Sequence, residues 1–380
     1  MNASGSRLRR RNAALAELRP AVTTLIAVLG CLGCAWLLAP GTGSAVLAVV
    51  LCLSLSRSQL DRTRRERVEA AIVLPLVGLA ATGIGLLLHR MPWFGATAFV
   101  AGMFVSIWLR RFGSPARRAG ALLALPFVVL LVTPHLPAAQ MSSLPRWLLP
   151  IVIALLALSW VSALHALARR VGFLPPPPTR QPALAEPSRT NALRPIASTR
   201  MAVQMASALF LSFVTGYVFF AERWAWIVLT AFIVLSGNRG RLDVAYKSMQ
   251  RVLGAAAGTV FALLLSPLAA AHGATGAALM LVSMFMGVWL RPLNYGWWAL
   301  FVTIALALLQ GFGNVPPAEV LPLRMEEILI GAAIGLGCAW WILPVRSTDA
   351  LRRRLADALS AFAAALNPES HTRVPEPFIG

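Results

Sequence analysis

Arg251 begins an apolar run, and a guanidinium placed there can grip a carboxylate through two parallel N–H···O bonds or simply anchor the run in the cytoplasm. Gly254 and Gly258 follow it with GxxxG spacing, which permits close approach of a second helix or of a ligand. Trp226 and Thr230 stand four apart, so on a helix they share a face and present an indole wall beside a hydroxyl. Arg291, Asn294 and Tyr295 bracket the gap between two apolar runs, where they can meet an anion or cap and anchor the helices. Glu69 lies near Arg65 and Arg67, and Glu326 and Glu327 lie near Arg324. Each group can form an interfacial ion pair, or Glu69, Arg324 and Glu327 can serve coupling or gating. These residue types recognise and pass a ligand; they do not make or break its bonds.

Bond-making chemistry finds little support. The chain has one lysine, Lys247, and no GxxxxGK[ST], so a phosphate-cradling loop is not available. The five histidines are scattered, without HExxH or Cys/His spacing for a metal. Every acid lies in a loop, a tail or at the edge of an apolar run, which leaves a hydrolase without a buried acid and base. The expectation is no enzyme, no cofactor and no metal. Cys31, Cys34, Cys52 and Cys338 all sit in apolar runs and read as small buried hydrophobes; the Cys31/Cys34 CxxC lacks a redox context.

The elements that must position these residues are membrane helices. Hydrophobic residues make up 58% of the chain and charged residues 13%, against ~25% charged in soluble domains. Apolar runs recur near the ~20 residues that cross a bilayer. They fall at 20–39, 43–56, 70–88, 93–109, 118–134, 147–168, 201–220, 224–237, 252–270, 274–290, 295–312 and 325–344. The expected fold is all-α and polytopic, with about twelve transmembrane helices. Placing the N-terminus inside puts 30 of the 34 Lys and Arg residues on the cytoplasmic side, leaving Arg90, Arg146, Arg223 and Arg324 outside. Both termini are then cytoplasmic. The net charge of +20 is explained by these loops and by contact with the lipid bilayer, with no nucleic-acid partner.

Two halves are visible. Residues 103–110 match 284–291 at five of eight positions, and Arg19 meets Arg200 at the same offset of 181. Six spans per half make the repeat parallel rather than inverted. The divisions are 1–19, a cytoplasmic N-terminus; 20–168, the first six-helix repeat; 169–200, a Pro-rich cytoplasmic linker; 201–344, the second repeat; and 345–380, a cytoplasmic tail with an amphipathic segment at its start. The short runs 43–56 and 224–237 occupy matching positions, which points to a central site between the halves. Trp226 and Thr230 are the expected path residues of the second short run, with Trp224 in the headgroup belt.

Segment 200–344 resembles the FUSC (fusaric acid resistance) superfamily. The residues carrying the resemblance are Trp224-Ala225-Trp226 with Thr230, then Arg251-Val252-Leu253-Gly254 with Gly258, and finally Arg324 with Gly331-Ala332. Ala255 departs from the pattern, which often has Thr there, and family members commonly carry larger cytoplasmic domains. The resemblance implies a bacterial inner-membrane protein that exports small organic anions such as aromatic carboxylic acids. A periplasmic membrane-fusion adaptor is a partner implied by resemblance only, and a homo-oligomer is open. A passive anion channel and a non-transporting membrane scaffold are the alternatives.

Overall fold

The computed structural model describes residues 3–59, 64–112, 114–132, 145, 148–174, 197–220, 223–237, 240–271, 273–311, 317–344, 355 and 359. The elements among them are helical. In chain order they are α1 (Ala3–Leu38), α2 (Thr42–Gln59), α3 (Arg64–Arg90), α4 (Pro92–Trp108), α5 (Ser114–Val132), α6 (Leu149–Arg170), α7 (Ala197–Phe219), α8 (Trp224–Leu235), α9 (Arg241–Ala271), α10 (Gly273–Leu290), α11 (Tyr295–Gly311) and α12 (Pro317–Trp341). A single 3₁₀ turn, Leu109–Phe112, follows α4. Six of these helices contain a stretch long and apolar enough to cross a bilayer, from Glu17–Leu38 to Arg241–Leu268. The apolar helices at Gly43–Ser56, Trp224–Leu235, Thr275–Leu290 and Tyr295–Leu308 are shorter.

Helix ends depart from the apolar runs for a simple reason. Hydropathy marks only the segment that suits lipid, whereas a helix continues wherever its backbone can keep bonding to itself. So α1 starts at Ala3 rather than 20, and α9 starts at Arg241 rather than 252. That extension puts Lys247 on the same helix as Arg251. Likewise α2 runs to Gln59, although its apolar part, Gly43–Ser56, is short as expected, and α8 with 12 residues is short as a whole helix. α8 rises ~18 Å against a hydrocarbon core of ~30 Å. Most of the linker and tail lie outside the described residues.

Neighbouring helices fall into matching sets. α1 packs on α2 as α7 does on α8, and α2 on α6 as α8 does on α12. α3 packs on α5 and α6, as α9 does on α11 and α12. The two sets meet where α4 packs on α7 and where α10 packs on α1.

Lipid tails are as apolar as leucine, so close packing rather than expulsion of water must hold such helices together. One device is aromatic. Phe99 of α4 meets Phe127 of α5 at 5.1 Å and Phe213 of α7 at 5.5 Å, between ring centroids. Phe213 in turn meets Trp224 in a tilted pair at 5.3 Å, and Trp224 is only 7% exposed. Trp224 therefore belongs to the interior and not to the headgroup belt expected for it. The reason is its contact with Phe213 and Tyr217 of α7, at 5.3 and 5.5 Å between centroids, where each ring pair contributes ~0.5–1.5 kcal/mol.

The other device is glycine. A Cβ on Gly254 would stand 2.6 Å from the Gly296 carbonyl oxygen, and one on Gly258 would stand 2.5 Å from that of Leu300. The GxxxG thus seats α9 directly on the backbone of α11. Gly258→Ala should lower stability by ~1–3 kcal/mol through overpacking. A clear drop in the unfolding midpoint of the detergent-solubilised protein checks this; an unchanged midpoint would mean that the two helices can part at no cost.

Candidate functional site

A cavity of about 440 Å³ opens between the two sets of helices. Its walls are mostly apolar, from Val28 and Leu32 of α1, Val49 and Leu53 of α2, Phe232 and Ile233 of α8 and Met284 and Phe285 of α10. Its polar groups are concentrated on α9, the foot of α10 and the start of α11: Lys247, Arg251, Arg291, Tyr295 and Trp298, with Ser236 at the end of α8. No Asp or Glu is among the lining residues. An apolar chamber with cations gathered on one wall suits an amphipathic anion.

The helices fix these side chains tightly. Arg251 is 3% exposed and its Nε has no hydrogen-bond partner among the described residues. Lys247 Nζ donates to the Ser236 carbonyl at 2.6 Å and lies 5.3 Å from the centre of the Tyr295 ring. The Tyr295 hydroxyl has no hydrogen-bond partner among the described residues and lies in the fields of both Arg251 and Arg291. Arg291 sits over the Trp298 ring at 4.9 Å. Buried donors left without acceptors are costly, so this wall is built to receive an acceptor.

A second cavity of about 420 Å³ shares Ala21, Thr24, Leu53, Val288 and Arg291 with the first. It adds Glu17, Ser56 and His165. Thr24 Oγ1 and Ser56 Oγ share a hydrogen bond of 2.6 Å, and Ser56 Oγ lies 3.4 Å from His165 Nε2. The other ring nitrogen of His165, Nδ1, lies 2.8 Å from the Val161 carbonyl oxygen.

The residues expected from sequence divide into groups. Arg251, Arg291 and Tyr295 come together at the cavity. Gly254 and Gly258 bring α11 against α9 and so hold Arg251 beside Tyr295. Asn294 is exposed and its Oδ1 accepts the Gly296 N–H at 2.7 Å, which is a helix cap. Trp226 and Thr230 do not appear in the cavity lining, because α8 turns a different face to it: Leu229, Phe232, Ile233 and Ser236. Trp226 instead lies 4.2 Å below the guanidinium carbon of Arg324 on α12. Thr230 is fully buried, its Oγ1 without a hydrogen-bond partner, against the α12 backbone at Gly331. Glu327 pairs with Arg223 at 3.4 Å. The side chain of Glu69 lies outside the described residues.

Lys247, Trp298 and His165 were not singled out as site residues by sequence. Lys247 carried a usable signal, since it is the one lysine among thirty-four basic residues. Trp298 and His165 carried none. Cys31 and Cys52 are buried in the same α1–α2 core while Cys34 is only half-buried, and all four cysteines are free thiols, so the CxxC spacing makes no disulfide.

Apolar helices on this scale around a cation-lined chamber define a multi-pass membrane protein of transporter type. Residues 206–338, most of α7–α12, match the family FUSC_2, described as Fusaric acid resistance protein-like, and this match supports membership of the FUSC family. That family consists of transporters rather than enzymes. No curated protein and no solved structure matches the chain.

Proposed function

We propose that this protein exports small organic anions, aromatic carboxylic acids in the first place, from the cytoplasm across a bacterial inner membrane. The observation that carries the reading is the cation-lined chamber: Lys247, Arg251 and Arg291 face an apolar cavity whose lining holds no acid. A carboxylate has three charged partners there, while an aromatic ring has Trp298, Phe232 and Phe285 against which to lie. The family match agrees in class.

In this reading twelve helices form two parallel six-helix repeats with both termini cytoplasmic. The paired helix neighbours, six helices apart, support the repeat. The excess of Lys and Arg in alternate loops supports the orientation. The cationic wall then lies toward the cytoplasm, where it raises the local concentration of anions. A periplasmic adaptor is a proposed partner on grounds of resemblance alone.

Reconstituted protein should move radiolabelled benzoate down its gradient, and unlabelled benzoate on the far side should accelerate the exchange. The absence of any benzoate flux would overturn the proposal. A passive anion channel is the second reading, favoured by one observation: among the described residues no carboxylate lines the chamber to couple a proton. Flux that follows voltage and shows no acceleration by benzoate on the far side would select it.

A further inference from the structure

Arg324 is buried to 3% exposure, and none of its three guanidinium nitrogens has a hydrogen-bond partner among the described residues. Among the described residues the acid whose charge reaches it, Glu327, pairs with Arg223 at 3.4 Å and gives Arg324 no hydrogen bond. Trp226 covers one face of the guanidinium at 4.2 Å. A ring beneath the plane stabilises the charge but accepts none of the in-plane N–H groups. A planar array of donors, desolvated and unmatched, calls for a planar anionic acceptor, and a carboxylate has that shape. One turn along α8 from Trp226, Thr230 Oγ1, fully buried against α12 at Gly331, also lacks a partner among the described residues.

The same combination occurs in the chamber, where Arg291 lies over Trp298 at 4.9 Å. Of the four arginine–tryptophan pairs among the described residues, Arg291–Trp298 stands in the chamber wall and Arg324–Trp226 in the contact between α8 and α12, and Arg324 is close enough to Arg251 to feel its charge. We infer that Arg324, with Trp226 and Thr230, is a second binding station for the carboxylate of the transported acid, separate from the chamber and reached after it.

This rests on the anion-transport reading above. Two stations in series serve passage, because an anion must be held well enough to enter yet released without a deep trap. The second station is shut in this structure: α12 lies against α8 so closely that a Cβ on Gly331 would come within 2.5 Å of the Ile227 carbonyl oxygen. Parting α8 from α12 opens it, and the carboxylate then supplies the acceptors that the guanidinium lacks.

The test uses the full chain in lipid nanodiscs, labelled throughout with 5-fluorotryptophan, with benzoate as the probe. Trp226→Phe and Trp298→Phe assign the two fluorine resonances. The expected result is a saturable shift of both resonances in the wild-type protein, and loss of the Trp226 shift alone in Arg324→Gln. A shift at Trp298 without one at Trp226 would overturn the second station and leave the chamber standing. A Trp226 shift that persists in Arg324→Gln would also overturn the second station. No shift at either ring would overturn both readings. The wild-type titration decides the matter even where Arg324→Gln fails to fold.

Discussion

Arg251→Gln should reduce benzoate transport about tenfold to a hundredfold while leaving the protein folded in the membrane. Losing one charge-assisted hydrogen-bonding partner costs ~1.5–3 kcal/mol, which sets that range. The glutamine keeps much of the side chain's bulk, and the helix contact beneath it depends on Gly254 and Gly258 rather than on the charge. Removing a cation that lies near Arg291, Lys247 and Arg324 also relieves repulsion, so stability should not fall. Arg251→Lys should recover only part of the activity, because an ammonium offers a point charge where the guanidinium offers a flat pair of donors. Transport rates in proteoliposomes, normalised to the amount of reconstituted protein, measure both variants. Unchanged transport in Arg251→Gln would reduce the residue to an anchor at the membrane edge.

Arg251 could be read from sequence because a charged residue at the start of an apolar run is conspicuous. Trp226 and Thr230 were equally conspicuous, and their shared face on α8 was correctly inferred. The direction of that face was not legible. Periodicity says which residues lie together on a helix, but the neighbour they meet is settled by distant contacts. Here the contact is Gly331 of α12, which admits α8 so closely that the 226/230 face has no room for a chamber. The adjoining face, about a quarter-turn round the helix and carrying Leu229, Phe232 and Ile233, received the cavity instead. Trp224 was misplaced for a related reason. A tryptophan at the end of a span looks like a headgroup anchor, and only the arrival of Phe213 and Tyr217 from α7 makes it a core residue. The helices themselves were legible throughout, since each described α-helix overlaps one apolar run.

That difference between the two faces of α8 yields a sharp expectation for cysteine modification. In a background with Cys31, Cys34, Cys52 and Cys338 replaced by alanine, a cysteine is introduced either as Ile233→Cys or as Thr230→Cys. An anionic methanethiosulfonate is then applied from the cytoplasmic side of inverted membrane vesicles. The reagent resembles the proposed substrate in charge, and the basic wall of Lys247, Arg251 and Arg291 should draw it in. Ile233→Cys should be modified quickly, and the adduct should abolish nearly all transport by filling the chamber. Thr230→Cys should react far more slowly, because Thr230 is fully buried beneath α12. If exposing it means opening that contact at a cost of ~3 kcal/mol, the rate falls on the order of a hundredfold. Benzoate present during labelling should protect Ile233→Cys by occupying the same space. Equal rates at the two positions would show that α8 does not separate a wet face from a packed one, and the chamber could then not be the route. A slow reaction at Ile233→Cys together with a fast one at Thr230→Cys would go further and return the path to the Trp226 face.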